Sequence, residues 1–432
     1  MKSEEFKSME NQLDIDSWGV GGRSLNVCRI EPDFPEWLYV RQETLDIFRV
    51  FKAQMEANLN TVFVGAPGGG KSMLVLLLAF FMAVRQRKRV VLFRKLKGKG
   101  FDLVYMDGKN KQYWRIDRAG IEDLDLVRDQ NFDLCLDGLG YNDIQRDFGR
   151  LARYRLLATP DPYPLKNDDM PVLRKCLVPF WSLSDLTAIG AHREWSDHEI
   201  QGRYFYSGGN LRAFLAPMSS RMFAKNLIND ATRMNASKHA QLLSTQYGGQ
   251  PDGQVDYLRM VGIPANDHDH RDVGEYLYCF KWVCASEYAL RCLGGIVPPS
   301  YYKELWAQGR LLADDGLMDT AFRNYVHTLT RTGEKMELQV REYDGAKESS
   351  NTYTTWTIEA KACRSDGVNA AECEAVMKER ATPHVDYWYP SAPSLATIDC
   401  VAKLSMERGG DAVGLIQIAT SDHRELDLEA VD

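Results

Sequence analysis

A doubly wound α/β fold around a parallel sheet is the class this sequence predicts, on three observations. The run Gly65-Ala-Pro-Gly-Gly-Gly-Lys71-Ser72 fits G-x-x-x-x-G-K-[ST] at every fixed position. It lies between an apolar run, Asn60 to Val64, and a Gly- and Pro-free apolar stretch, Met73 to Val84. Strand, glycine loop and helix is the setting in which such a loop holds phosphate. Further on, Asn131-Phe-Asp-Leu-Cys-Leu-Asp137 and Tyr154-Arg-Leu-Leu-Ala-Thr159 read as two more apolar strands, each ending in a small polar residue. Strands alternating with helices imply a parallel sheet with its ligand at the strand C-termini.

Taken in order, residues 1–34 are polar and read as an irregular N-terminal tail. From Pro35 to Asn58 the apolar residues Trp37, Leu38, Leu45, Ile47, Phe48 and Phe51 recur at helical spacing, so one helix is predicted before the glycine loop. Arg89 to Phe93 is a second strand. Phe101 to Met106 and Gln112 to Ile116 flank Asp107-Gly-Lys-Asn110, which reads as a hairpin. Leu177 to Asp185 reads as the last core strand running into a helix capped by Ser182 or Ser184. After another helix, a Gly208-Gly209 turn places Arg212 at a helix start. Residues 35–230 are thus assigned to a P-loop NTPase domain, 231–300 to a mixed connecting region and 301–432 to a C-terminal domain that Pro298 to Trp306 opens with a helix.

The chemistry follows from the loop. Gly65, Ala66, Pro67, Gly68, Gly69 and Gly70 let the backbone curl so that its N–H groups face a phosphate, with Lys71, Ser72 and Met73 opening the helix. The helix N-terminus adds the positive end of its dipole. Lys71 is predicted to reach the β- and γ-phosphates and Ser72 to hold Mg²⁺. Asp137 fits the strand-end aspartate (Walker B) that supports the same Mg²⁺, and Thr159 fits a position that senses the γ-phosphate. Arg212 occupies a turn comparable to the one that brings an arginine to the γ-phosphate in AAA-like and STAND-like ATPases. ATP and Mg²⁺ are the expected ligands. The residue after Asp137 is Gly138, where many such ATPases carry the glutamate that polarises water; Asp143 and Glu194 are the substitutes the sequence offers.

Composition bounds the alternatives. A chain of 432 residues with 44% hydrophobic residues is long enough for two or three ordinary globular cores. A net charge of −7 excludes a surface that binds nucleic acid as a whole. Nine scattered cysteines with no C-x-x-C pair fit a reducing compartment rather than a disulfide framework. No apolar secretory segment opens the sequence, and the longest apolar run is too short to span a membrane, so a soluble intracellular protein is expected. The basic run from Arg85 to Lys99 reads as the solvated rim after the loop helix, with phosphate contact or a nuclear signal as the sharper alternative. Asp267-His-Asp-His270 reads as a polar loop rather than a metal site.

The pieces together resemble the crinkler and retrotransposon-hot-spot class of eukaryotic proteins. The residues that carry the resemblance are Tyr39-Val40-Arg41, Gly65 to Ser72, Phe132 to Asp137 and Tyr204 to Leu215. It implies that Val40 and Arg41 contribute to the nucleotide site. It also implies an effector role, a nucleic acid or host protein as partner of the C-terminal domain, and action in a nucleus. An oligomer is a further expectation. Proteins of this class join an ATPase module to a domain of the restriction-endonuclease fold, so an α+β C-terminal domain of that type is expected. There Asp399 and Gln417 match the metal-binding pattern, whereas Ala419 and Arg323 depart from it, so a degenerate nuclease is the expectation. The alternative E-x-K string, Glu359-Ala-Lys361, precedes Asp399 and is in the wrong order.

Overall fold

A computed structural model of the chain describes residues 3–217, apart from 97, 128–130, 152, 161–162 and 164–171, and separate stretches between 226 and 419. The first elements are α1 (Ser3–Gln12), β1 (Gly21–Ser24), β2 (Trp37–Val40) and α2 (Gln42–Glu56). The P-loop strand β3 (Asn60–Val64) leads into α3 (Lys71–Val84). Then come β4 (Arg89–Leu96), β5 (Gly100–Asp107), β6 (Gln112–Ala119), β7 (Asp133–Asp137), α4 (Tyr141–Arg146), α5 (Phe148–Leu151), β8 (Tyr154–Ala158) and β9 (Leu173–Leu177). Three helices follow, α6 (Leu183–His192), α7 (Asp197–Ser207) and α8 (Leu211–Leu215).

The large sheet has the order β6-β5-β4-β7-β8-β3-β9. Its five strands β4, β7, β8, β3 and β9 pair in parallel, and the β5–β6 hairpin extends the β4 edge antiparallel. The expected parallel sheet is therefore present, and the hairpin around Asp107 is added to it. Strand β8 lies between β3 and β7, so the ends of all three converge. The strands are nearly continuous apolar runs, as strands covered on both faces must be. Helix α3 is buried on all sides from Leu74 to Val84, the signature of a core helix rather than a surface one. Phe48 of α2 meets Phe81 of α3 edge-on, with ring centroids 4.8 Å apart.

Three predicted segments differ. The expected tail is built into the main core: Phe6, Met9 and Leu13 of the first helical stretch, and Val27, Ile30 and Phe34 beyond it, are all buried there. Its polar composition hid an apolar stripe at i, i+3 and i+7. The predicted Pro35–Asn58 helix begins only at Gln42, because Trp37–Val40 pairs antiparallel with Gly21–Ser24. A run of aromatic and branched residues suits a strand, and its extended backbone continues through Arg41. The last core strand likewise ends at Leu177 instead of starting there, and Ser182 is the helix cap, accepting from Asp185 N.

In the C-terminal part, β10 (Arg259–Gly262) pairs with β11 (Lys281–Cys284), and α9 (Glu275–Tyr278) packs on the large domain, where Tyr276 donates to Asp46 at 2.7 Å. Helices α10 (Glu287–Gly294), α11 (Pro299–Leu312) and α12 (Asp315–Arg331) follow. Next are β12 (Met336–Val340), the short pair β13 (Tyr343–Asp344) and β14 (Lys347–Glu348), then β15 (Thr354–Ile358), β16 (Cys363–Ser365), β17 (Tyr387–Tyr389), β18 (Cys400–Met406) and β19 (Asp411–Ile416). A mostly antiparallel sheet, β12-β15-β18-β17-β16 with β19 on β18, carries a core of Ile358, Tyr387, Cys400 and Leu404. Buried His327 of α12 lies 2.8 Å from the Tyr387 hydroxyl, fastening helix to sheet. This is an α+β arrangement.

Candidate functional site

The P-loop connects β3 to α3 at the C-terminal edge of the parallel sheet. Gly70 precedes the helix in a left-handed conformation, and Gly68 has φ +77° with the Asn210 side chain against its Cα; a Cβ there would stand 1.9 Å from Asn210 Oδ1. The glycines thus answer to packing: the loop lies against the Asn210 side chain of the Gly208-Gly209-Asn210 turn. Asn210 caps α8 by accepting from Ala213 N at 3.1 Å, which sets Arg212 on the first turn of that helix.

One cavity of about 330 Å³ collects most of the predicted site. Pro67, Gly68, Gly70, Lys71, Ser72 and Met73 line one wall, Asp137, Gly138 and Thr159 another, and Leu211 and Arg212 a third. Lys71 is buried and its Nζ donates to the carbonyls of Gly65 at 2.6 Å and Ala66 at 3.1 Å. Asp137 is 4% exposed. Its Oδ2 accepts from Arg94 Nε at 3.2 Å, while its Oδ1 has no hydrogen-bond partner. A buried carboxylate oxygen with nothing to bond is costly. In a cavity shared with Ser72 it fits a hard divalent cation, which takes oxygen ligands. Thr159 follows β8 and is 2% exposed.

Val40 lines neither cavity of the site, whereas Arg41 lines only the smaller one. Val40 is fully buried in the main core. Arg41, 2% exposed, donates to the carbonyls of Phe180 (2.6 Å), Pro179 (2.7 Å) and Gly69 (3.3 Å), and its guanidinium lies 4.5 Å from the Trp181 ring centroid. Trp181 Nε1 also donates to Gly69 at 3.2 Å. Arg41 therefore braces the loop from behind and does not line the main cavity. A smaller apolar cavity adjoins it, lined by Tyr39, Arg41, Ile47, Met73, Leu77 and Trp181 and sharing Gly70 and Leu211.

The two substitutes for a water-polarising carboxylate are not so placed. Asp143 pairs with Lys95 at 2.8 and 3.0 Å and accepts from Gly140 N at 3.1 Å. Burial pushes its carboxyl up, but Lys95 and the Gly140 N–H outweigh that and hold it below the ordinary range. Glu194 is exposed beyond the end of α6. Gly138 itself has φ +77°, and a Cβ there would stand 2.6 Å from Lys95 O.

In the C-terminal domain, Asp399 Oδ1 lies 2.9 Å from Arg323 Nε, and Oδ2 accepts from Ile418 N at 2.7 Å. One oxygen of the predicted metal ligand thus accepts a backbone N–H and the other is ion-paired with the Arg323 guanidinium, so a cation stands where the nuclease pattern needs an acid. Gln417 is half-buried beyond β19. Among the described residues, no group of three or more His, Cys, Asp and Glu could hold a metal ion. The Asp267–His270 string lies outside the described residues. The basic run is largely spent in ion pairs: Arg85 with Asp14, Arg87 with Glu10, Lys88 with Asp133, Arg89 with Asp107 and Lys95 with Asp143. No described helix is long and apolar enough to cross a membrane.

No protein-family model matches this chain, and no curated protein matches it. Among solved structures it is similar to a signal transduction ATPase with numerous domains (STAND) protein with a tetratricopeptide repeat sensor from Pyrococcus horikoshii, at 10% identity and a TM-score of 0.24, over 68% of this chain and 48% of that one. It is also similar to Drosophila ORC bound to poly(dA/dT) DNA and Cdc6, at 11% identity and a TM-score of 0.20, over 55% of this chain and 47% of that one. The chain spans about half the length of these two. The α/β assignment therefore rests on the strand order and the glycine loop described above.

Proposed function

We propose that this chain binds Mg²⁺-ATP at the loop Gly65–Ser72 and uses it as a conformational switch. The observation that carries the reading is the cavity that brings Lys71, Ser72, Asp137, Thr159 and Arg212 together from four separate places in the sequence. Lys71 would supply positive charge to the phosphates; Ser72 and Asp137 would hold the metal, which when bound neutralises phosphoryl charge. Thr159 would bond a terminal phosphate oxygen, and Arg212 would close on it. The adjoining apolar cavity beside Tyr39 and Trp181 suits the flat face of a base. Because Arg212 and Leu211 come from α8 and the loop comes from the sheet, a ligand between them would bridge two packing units. Differential contact of that kind is what shifts a two-state equilibrium.

Gly138 favours a second reading in which binding is not followed by fast hydrolysis. No carboxylate follows Asp137, and Asp143 is held by Lys95. The C-terminal domain is the part such a switch would act on, with a nucleic acid or a host protein of the crinkler type as its target. The pairing of Asp399 with Arg323 supports a binding rather than a nuclease role there.

The test is binding of a fluorescent ATP analogue to the wild type and to Lys71→Ala, with phosphate release followed in parallel. Loss of one charge-assisted phosphate contact is expected to weaken binding about 10- to 100-fold. Unchanged affinity would overturn the reading. Turnover well above background that Asp137→Ala abolishes would overturn the slow-hydrolysis form of it.

A further inference from the structure

Arg94 lies two residues before the end of strand β4, in register with Asp137 of β7. Both are 4% exposed, and Glu31 beside them is fully buried. The Arg94 guanidinium joins the two acids. Its Nε donates to Asp137 Oδ2 at 3.2 Å and its Nη1 to Glu31 Oε1 at 2.8 Å, with Asp33 Oδ2 at 3.3 Å from the same nitrogen. The other Glu31 oxygen accepts from Arg115 Nη1 at 3.0 Å, and Arg115 Nη2 donates to Asp102 at 2.6 Å. Glu31 belongs to the N-terminal segment, so a chain of buried charges runs from that segment into the wall of the nucleotide cavity.

A guanidinium presents its donors in one rigid plane. Once Glu31 fixes Nη1, the direction of Nε is fixed as well. Nε then holds one oxygen of Asp137, and the orientation of that carboxylate is no longer free. The oxygen left over is Oδ1, the buried atom without a partner, on a residue that lines the cavity with Ser72. A lysine here would keep the charge but could not impose the plane. We propose that Arg94, anchored by Glu31, is a positioning residue that turns Asp137 so that Oδ1 is presented to the divalent cation. The proposal rests on the nucleotide reading above and adds the N-terminal segment to the site.

The experiment titrates Mg²⁺ against binding of a fluorescent ATP analogue, for the wild type, Arg94→Lys, Glu31→Gln and Lys71→Ala. Loss of a group that orients a metal ligand typically costs 10- to 100-fold in metal affinity, so the Mg²⁺ concentration for half-maximal tightening should rise at least about tenfold in Arg94→Lys, with affinity in EDTA within about twofold of wild type. Glu31→Gln should shift in the same direction by a smaller factor. A wild-type Mg²⁺ titration in Arg94→Lys overturns the proposal. So does an affinity that falls equally with and without Mg²⁺, which is what a merely structural role would give. If Arg94→Lys does not fold, Glu31→Gln, which keeps both arginines, decides between the same outcomes. Lys71→Ala separates the two claims: wild-type binding in that variant sinks the nucleotide reading, whereas lost binding there beside an unshifted Arg94→Lys sinks only this inference.

Discussion

The guanidinium of Arg41 lies 3.3 Å from the carbonyl of Gly69, so the arginine immediately before α2 grips the glycine loop from behind. The same side chain also satisfies Pro179 and Phe180. Removing it would leave the Pro179 and Phe180 carbonyls without that donor, while Gly69 keeps Trp181 Nε1. Arg41→Ala is expected to cost about 2–4 kcal/mol of stability, from unsatisfied buried acceptors. It should also weaken nucleotide binding, because the loop loses its brace. Chemical denaturation and analogue binding on the same preparation check both. An Arg41→Ala protein as stable as wild type would show that the brace is dispensable.

Gly138 fixes what can follow Asp137. Its φ of +77° disfavours any side chain, and a Cβ would meet the Lys95 carbonyl at 2.6 Å. Restoring the missing glutamate by Gly138→Glu should therefore fail as a gain of function. Left-handed strain and overpacking together predict a loss of about 2–4 kcal/mol. Phosphate release should not rise. A stable variant with faster release would show that the backbone relaxes and that hydrolysis lacked only its carboxylate.

Much of the site was legible because its signals are local. The loop, the strand-end Asp137 and Thr159, the Asp107 hairpin and the Ser182 cap each declare themselves within about ten residues. What escaped depends on distant partners. The bracing role of Arg41, a residue the sequence did single out, rests on carbonyls 138 and 139 residues away, and Arg94 meets Glu31 across 63; no sequence window contains both ends. Arg94 was hidden inside a basic run that reads as a solvated rim, and only the parallel register with Asp137 singles it out. The N-terminal segment was misread for a different reason. Its apolar residues are few, and the periodicity of Phe6, Met9 and Leu13 was the available signal.

That segment supplies the next prediction. Phe34 is 2% exposed in the main core, three residues beyond Glu31. Phe34→Ala should cost about 3–5 kcal/mol, the usual range for deleting a buried aromatic ring. Denaturant midpoints would show it directly. A change below about 1 kcal/mol would mean that the segment is a dispensable tail, since surface positions fall in that range.

The hairpin offers a test of pH dependence. Asp107 Oδ1 accepts from the N–H groups of Lys109 and Asn110, each at 3.0 Å, and Oδ2 accepts from Asn110 Nδ2 at 2.8 Å and Arg89 Nε at 3.1 Å. Burial alone would raise this carboxyl, but the Asn110 and Arg89 donors outweigh it and hold it below the ordinary value. A carboxyl depressed in the folded state contributes stability that is complete above its unfolded pKa of about 3.9 and is lost as the pH falls through the folded value. Asp107→Asn keeps the shape but turns one acceptor into a donor. It should cost about 1.5–3 kcal/mol near neutral pH, the range for hydrogen bonds to a charged group. The gap to wild type should stay constant from about pH 7 to 5 and close below about pH 4, where the wild-type carboxylate takes up its proton. Urea unfolding at several pH values checks the sign. A gap that widens toward acid would mean that the carboxylate is not the form the hairpin needs.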